Sequence, residues 1–221
     1  MIDLAPGSGA AGEKPIKDQS IKARLIDAGK ELFADRGFAG ASVREICAAA
    51  DASSTMIHHY FGSKQGLLDA IVDEFRSVTF EVPLRLIAKS PKTQEEYVLR
   101  LEMFIAETFQ ALVAQADVFS VIAREQKNYE LTSQFHAGLA KYLSAAQGAG
   151  FIDPDLKIEM VTGLVLDRLG GQILYASSVR DRATTVLNDA AYAEDWLAAN
   201  SSVLIHGFAQ GRSENPDTTQ T

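Results

Sequence analysis

The stretch SVREICAAADASSTMIHHYFGSKQGLL, Ser42 to Leu68, crowds helix-start and helix-stop signals closer together than an ordinary helical protein requires. Ser42 reads as an N-cap, and Glu45, three residues on, completes a capping box. Val43, Ile46, Cys47 and Ala50 form the inward side of the short helix that follows. The sequence ADAS then breaks the period. Ser53 caps a third helix with Met56, Ile57 and Tyr60 pointing inward, and Gly62 ends it. Ser63 opens a fourth through Leu67, Leu68, Ile71, Val72 and Phe75. Upstream, a helix from about Gln19 to Arg36 aligns Ile21, Leu25, Ala28, Leu32 and Phe33 on one face, with Gly37 as its stop. Three helices in about 45 residues, the second and third joined by a four-residue turn, have the dimensions of a helix-turn-helix.

The rest of the chain keeps the helical period without a repeat or a convincing strand. Helices are expected near 93–115, 117–127, 129–148, 156–179 and 190–210, separated by SPKT, AGFIDPD and a polar stretch around Asp181. The fold class is therefore all-α. A flexible N-terminal arm spans 1–18, the helix-turn-helix head 19–62, a larger helical body 63–210 with a linking helix over 63–81, and a frayed tail 211–221. The start lacks a basic cluster followed by an apolar run, so it is no secretory signal. The stretch MVTGLVLDRLGGQILYASSV is interrupted by Asp167 and Arg168, which argues against a membrane span. Cys47, alone in the chain, excludes an intramolecular disulfide and a cysteine-rich zinc knuckle. A cytoplasmic location follows.

Net charge is −8, but its distribution is uneven. Residues 14–64 hold eight Lys or Arg against six Asp or Glu, whereas residues 65–221 hold thirteen against twenty-one. A basic head on an acidic body has the sign expected of a DNA-reading module. The third helix carries the chemistry. Adjacent histidines on a helix point about 100° apart, whereas shared metal ligands sit at i and i+3 or i+4. Those positions around His58 and His59 hold Ser54, Thr55, Met56, Phe61, Gly62 and Ser63, so no metal is expected. An exposed first turn excludes no water and builds no oxyanion hole, so catalysis is not expected either. Ser53, Ser54, Thr55, His58 and His59 instead offer hydroxyls and imidazoles that suit base edges and phosphate oxygens. Amides at the helix start favour a phosphate, and Lys64 adds a neutralising charge. Double-stranded DNA is the expected partner.

Residues 20–68 resemble the DNA-binding head of the TetR family of bacterial regulators, most specifically in HHYFGSKQGLL and SVREI. The resemblance implies a homodimeric repressor with a three-helix head. Its helical C-terminal domain would dimerise through the last two long helices and hold a small inducing molecule. Position by position it implies that Ser42 caps the second helix and meets a phosphate, and that Arg44 reaches a guanine edge or phosphate. Ser54, Thr55 and His58 would read bases; His59, Tyr60 and Lys64 would touch the backbone. Tyr60 suits the core equally, and Ser42 and Ser53 are caps with or without DNA. Asp51 stands where the family favours glycine, and Asp tolerates left-handed geometry. Residues 53–59 contain no Lys or Arg, so affinity is expected to climb as pH falls and imidazoles charge.

In the body, Phe75, Phe104, Phe119 and Phe135 are candidate effector contacts, although such spacings normally mean core. Arg168 lies on or beside a buried face, where an effector carboxylate or a salt bridge to Glu102, Glu107 or Glu125 would answer it. Gly170, Leu174, Trp196, Val203, Leu204 and Phe208 are candidates for the dimer seam. The expected function is a ligand-responsive regulator on a near-palindromic operator, most simply a repressor, without catalytic residues, metal or cofactor. The competing reading is a helical-bundle enzyme or protein-interaction module. Neither His136 nor His206 has the Glu at i−3 that a di-metal bundle needs.

Overall fold

The structure, a computed structural model, describes residues 15–125, 128–179 and 184–207. Nine helices and no strand occur among the described residues: α1 Pro15–Gly40, α2 Val43–Ala49, α3 Thr55–Phe61, α4 Lys64–Leu86, α5 Gln94–Ala114, α6 Ala116–Arg124, α7 Asn128–Gly148, α8 Ile158–Ser178 and α9 Ala190–His206. The chain divides into two compact units, Met1–Ile71 and Val72–Thr221. The division falls inside α4, later than the expected boundary at Gly62. The reason is packing: Leu67, Leu68 and Ile71 are buried, and the backbone of Gly29 in α1 lies against Leu67 and Ile71.

In the head, Gly37 takes a left-handed φ of 72° and breaks the helical run of α1, as a glycine stop should. Leu25, Ala28, Phe33, Ala41, Ile46, Cys47, Ala50 and Ile57 close the core. The capping box is complete: Glu45 N donates to Ser42 Oγ, and Ser42 N donates to the Glu45 carboxylate at 3.0 Å. Asp51 does adopt the left-handed region, with φ 48°, and Ala52 N donates to Cys47 O at 2.9 Å to close the turn. Burial pushes the Cys47 thiol up from its usual range.

In the body, α4 runs past the expected end at Glu81 and through Pro83 to Leu86. Pro83 costs only the bond to the Thr79 carbonyl, and it stands in the last turn, where the helix is ending anyway. Thr93 caps α5 by accepting from Glu96 N, and Asp189 caps α9 by accepting from Tyr192 N. Phe75 stacks on Phe119 at 5.9 Å, while Phe135 stacks on Phe80 at 4.2 Å and on Phe104 at 5.1 Å. Tyr142 donates its hydroxyl to Tyr97 O at 3.2 Å, but the buried Tyr97 hydroxyl has no partner of its own among the described residues. Desolvation pushes the Tyr97 hydroxyl up to about 12. An orphaned buried hydroxyl costs about 1–3 kcal/mol. Tyr97→Phe is therefore expected to raise the unfolding free energy by about 1 kcal/mol in urea titration, and a loss of stability would show that the hydroxyl is bonded in solution.

No single helix among the described residues is long and apolar enough to cross a membrane.

Candidate nucleic-acid interface

The face that α3 shows to solvent is built from the short side chains at its start. Ser53, Ser54, Thr55, His58 and His59 are all exposed, whereas Ile57 on the same helix is completely buried. The start of α3 differs from the expected cap. Ser54, not Ser53, occupies the N-cap position, with helical φ/ψ and no side-chain cap bond. Ser53 Oγ pairs instead with Thr55 Oγ1 at 2.7 Å, so these two hydroxyls hold each other.

His58 Nδ1 lies 3.0 Å from Gly62 O. A carbonyl only accepts, so Nδ1 carries the proton and donates. The neutral ring then leaves Nε2 as an acceptor, suited to an exocyclic amine on a base edge; a protonated ring makes Nε2 a donor, suited to a phosphate. The His59 ring meets Tyr60 edge-on at 4.9 Å, and Tyr60 is half-buried, between its two expected roles.

Arg44 is exposed on α2 and makes no hydrogen bond or ion pair among the described residues. Arg36, close by, is committed: it pairs with Glu45 at 2.6 Å and Asp35 at 3.2 Å. The Ser42 hydroxyl and amide hold the Glu45 carboxyl below its ordinary range, with Arg36 adding to the effect. Lys64 is half-buried, donating from Nζ to Phe38 O at 2.8 Å and Ala41 O at 2.9 Å, over the Phe38 ring. It ties the end of α1 to the start of α4, and the expected backbone contact rests on its one remaining N–H. Arg24 similarly pins the turn through Ala50 O at 2.9 Å and Asp51 O at 3.3 Å. Sequence reading missed this residue, because nothing local marks a surface arginine that answers carbonyls in a distant turn.

In the body, Phe119 and Phe135 line an apolar cavity of about 40 Å³ together with Phe80, Thr108, Leu112, Thr132, Leu166, Leu169 and Gly170. Phe75 and Phe104 lie behind those rings as core and do not border it. Arg168 lies beside the buried face rather than on it. It is exposed, donates from Nε to Asn200 Oδ1 at 2.6 Å and lies over the Trp196 ring, meeting none of the three expected glutamates. Its neighbour Leu169 takes the buried direction, and one residue is about 100° of helix.

The seam residues also divide. Trp196 stacks on Phe109 at 5.0 Å and is buried with Leu204 inside one chain, so both already pack within the body. Gly170 is likewise internal, since a Cβ there would stand 3.3 Å from the Phe119 ring. Leu174 is half-buried, Val203 is 71% exposed, and Phe208 lies outside the described residues.

Residues 25–71 match the sequence signature of bacterial regulatory proteins of the tetR family. The chain is 25% identical over 196 residues to the HTH-type transcriptional regulator UidR of Escherichia coli strain K12, covering 84% of this chain and 94% of that protein. Its fold is similar to that of the ketosteroid transcriptional regulator KstR2 of Mycobacterium tuberculosis, with a TM-score of 0.66, 18% identity, and 91% and 100% of the two chains covered. It is also similar to FadR of Bacillus subtilis in complex with stearoyl-CoA, with a TM-score of 0.65, 19% identity, and 84% and 98% covered. The capping box and turn of the head and the all-helical body agree with these matches, and residues 25–71 carry the sequence signature of the tetR-family head.

Proposed function

We propose that this transcriptional regulator is a homodimeric repressor that binds a near-palindromic operator and is released by a small molecule held in its body. The observation that carries the DNA reading is the division within α3, where Ile57 is buried while Ser53, Ser54, Thr55, His58 and His59 remain in water. Two such helices would enter successive major grooves about 34–36 Å apart, with unpaired Arg44 beside them to reach a guanine or phosphate. The dimer reading draws support from α8 and α9. Met160, Leu164 and Tyr175 are exposed on α8, and Val203 on α9. A Cβ at Gly163 or Gly171 would meet nothing within 4 Å, so another helix can approach there. The seam would thus use Met160, Leu164, Tyr175 and Val203 rather than Trp196 and Leu204. The effector reading draws support from the cavity at Phe119 and Phe135, and from the similar fold of B. subtilis FadR, solved in complex with stearoyl-CoA, whose acyl chain is apolar.

Duplexes selected from a random pool by the full chain test the reading directly. Wild type is expected to shift them with an affinity that weakens as salt rises. Arg44→Ala should lose about 1–3 kcal/mol and relax preference at one base position per half-site. A chain that selects no duplex at low ionic strength would overturn the proposal.

A further inference from the structure

The stacked rings of Phe80 and Phe135 border two separate spaces in the body. One is the small apolar cavity that also meets Thr108, Phe119 and Leu169. The other is an open groove of about 240 Å³ between α4 and α7, bordered further by Asp73, Arg76, Ser77, Glu81, Leu84 and Gln134. Small-molecule pockets begin at about 300 Å³. The apolar cavity alone accommodates little more than a water-sized group. Neither space suffices by itself, but with the Phe135 ring turned aside the two become one continuous site of the right order. Its walls then grade from polar at the α4 surface to wholly apolar at Phe119 and Leu169.

The polar end carries an unmet demand. Arg76 donates from Nη2 to Asp73 Oδ1 at 2.6 Å, yet its Nε is buried without a partner among the described residues. One turn further along α4, the Thr79 hydroxyl is also buried and has no partner among the described residues. The carboxylates of this groove are already answered: Asp73 by Arg76, and Glu81 by Arg85 at 2.8 Å and Ser77 at 3.0 Å. An anionic head group would meet both carboxylates, and a cationic one would compete with Arg76 for Asp73. What the groove lacks is one neutral acceptor for a buried N–H.

We propose that Phe80 and Phe135 form a movable partition admitting an elongated apolar molecule that bears a neutral oxygen acceptor, a ketone, ester or hydroxyl, at its trailing end. That oxygen accepts from Arg76 Nε while the hydrocarbon replaces the Phe135 ring beside Phe119 and Leu169. This deepens the effector reading above and rests on it. It also places the head-group contact on α4, the helix within which the chain passes from one unit to the other.

The test uses three probes of equal length, 2-decanone, decanoate and decylamine, titrated calorimetrically into the full chain. The ketone is expected to bind at least tenfold more tightly than either charged probe. Arg76→Lys, which keeps the charge and removes the Nε–H, should erase that tenfold preference. Phe135→Trp, which enlarges the partition, should weaken the ketone at least tenfold while circular dichroism confirms the fold; should that variant misfold, Phe80→Trp replaces it. Equal binding of all three probes, binding of none, or a ketone preference that survives Arg76→Lys would overturn the proposal. Operator release separates the two readings. Release by decanoate but not 2-decanone sinks this site and spares the effector reading, whereas ketone binding with the expected variant effects and no release sinks the effector reading and spares the site.

Discussion

Gly66→Ala is expected to destabilise the head by about 3 kcal/mol or more and to abolish operator binding, although the change adds a single methyl group. A Cβ on Gly66 would stand 1.9 Å from Phe61 O and 3.0 Å from the carbonyl carbon. The obstacle is backbone at the end of α3, not a side chain that can swing away. Relief requires separating the end of α3 from the first turn of α4. That turn is fixed on every side. Gly62 supplies a φ of 73° for the reversal, Gly66 N donates to Ser63 Oγ at 3.0 Å, and Leu67 N donates to Ser63 O at 3.1 Å. Leu67 and Ile57, both completely buried, would lose their packing as the corner opens. Overpacking ordinarily costs about 1–3 kcal/mol, and rigid backbone at this distance puts the cost at or above the top of that range. Because a domain has only about 5–15 kcal/mol in hand, α3 would also lose its fixed orientation. Gly148→Ala is the control. Gly148 is exposed at the end of α7, and a Cβ added there would meet nothing within 4 Å. Alanine's better helix propensity should leave that variant neutral or up to about 1 kcal/mol more stable. Urea titration of both variants, with operator binding measured alongside, checks the pair; a Gly66→Ala protein as stable as wild type would contradict the packing described.

The features legible beforehand are those whose causes are local. The Ser42–Glu45 box lies within one turn, so its partners are named by their spacing. Asp51 in the left-handed region follows from what an aspartate backbone tolerates, whatever surrounds it. The helix limits in the body follow from the apolar period and from the polar breaks such as SPKT between helices. The features that stayed hidden depend on residues far apart in the chain. Lys64 meets Phe38 O and Arg24 meets Ala50 O, each across 26 positions, and no pattern marks either pairing. The stripe on α9 was visible as apolar, but only the stacking of Phe109 on Trp196 shows which part of it faces inward. Phe80 lies inside the expected linking helix, but only its stacking on Phe135 of α7 shows that it is a wall of the body.

The second large effect concerns salt and pH together. Operator affinity should rise at least tenfold from pH 8 to pH 6 near 0.1 M salt, and the dependence on salt should steepen over the same interval. Among the described residues, the exposed face of α3 offers no Lys or Arg, Arg36 is held by Glu45 and Asp35, and Lys64 has two of three N–H groups on carbonyls. At pH 8 few cations therefore face the duplex. Imidazole side chains change charge between pH 5 and 8. The sign follows from His58: with Nδ1 donating to Gly62 O, the added proton goes to Nε2 and turns an acceptor that phosphate repels into a charged donor that phosphate attracts. DNA thus favours the protonated form, so the gain is present at low pH and lost as pH rises. Each phosphate neutralised adds about 0.9 to the slope of log affinity against log salt, so four imidazoles in a dimer would add up to about 3.6. His58→Ala should remove at least half of the pH effect, because its free nitrogen is the one held outward by a backbone bond. The His58→Ala, His59→Ala double variant should bind equally at both pH values with one common slope. A double variant that keeps the wild-type pH response would assign the protons elsewhere and remove the imidazole face from DNA recognition.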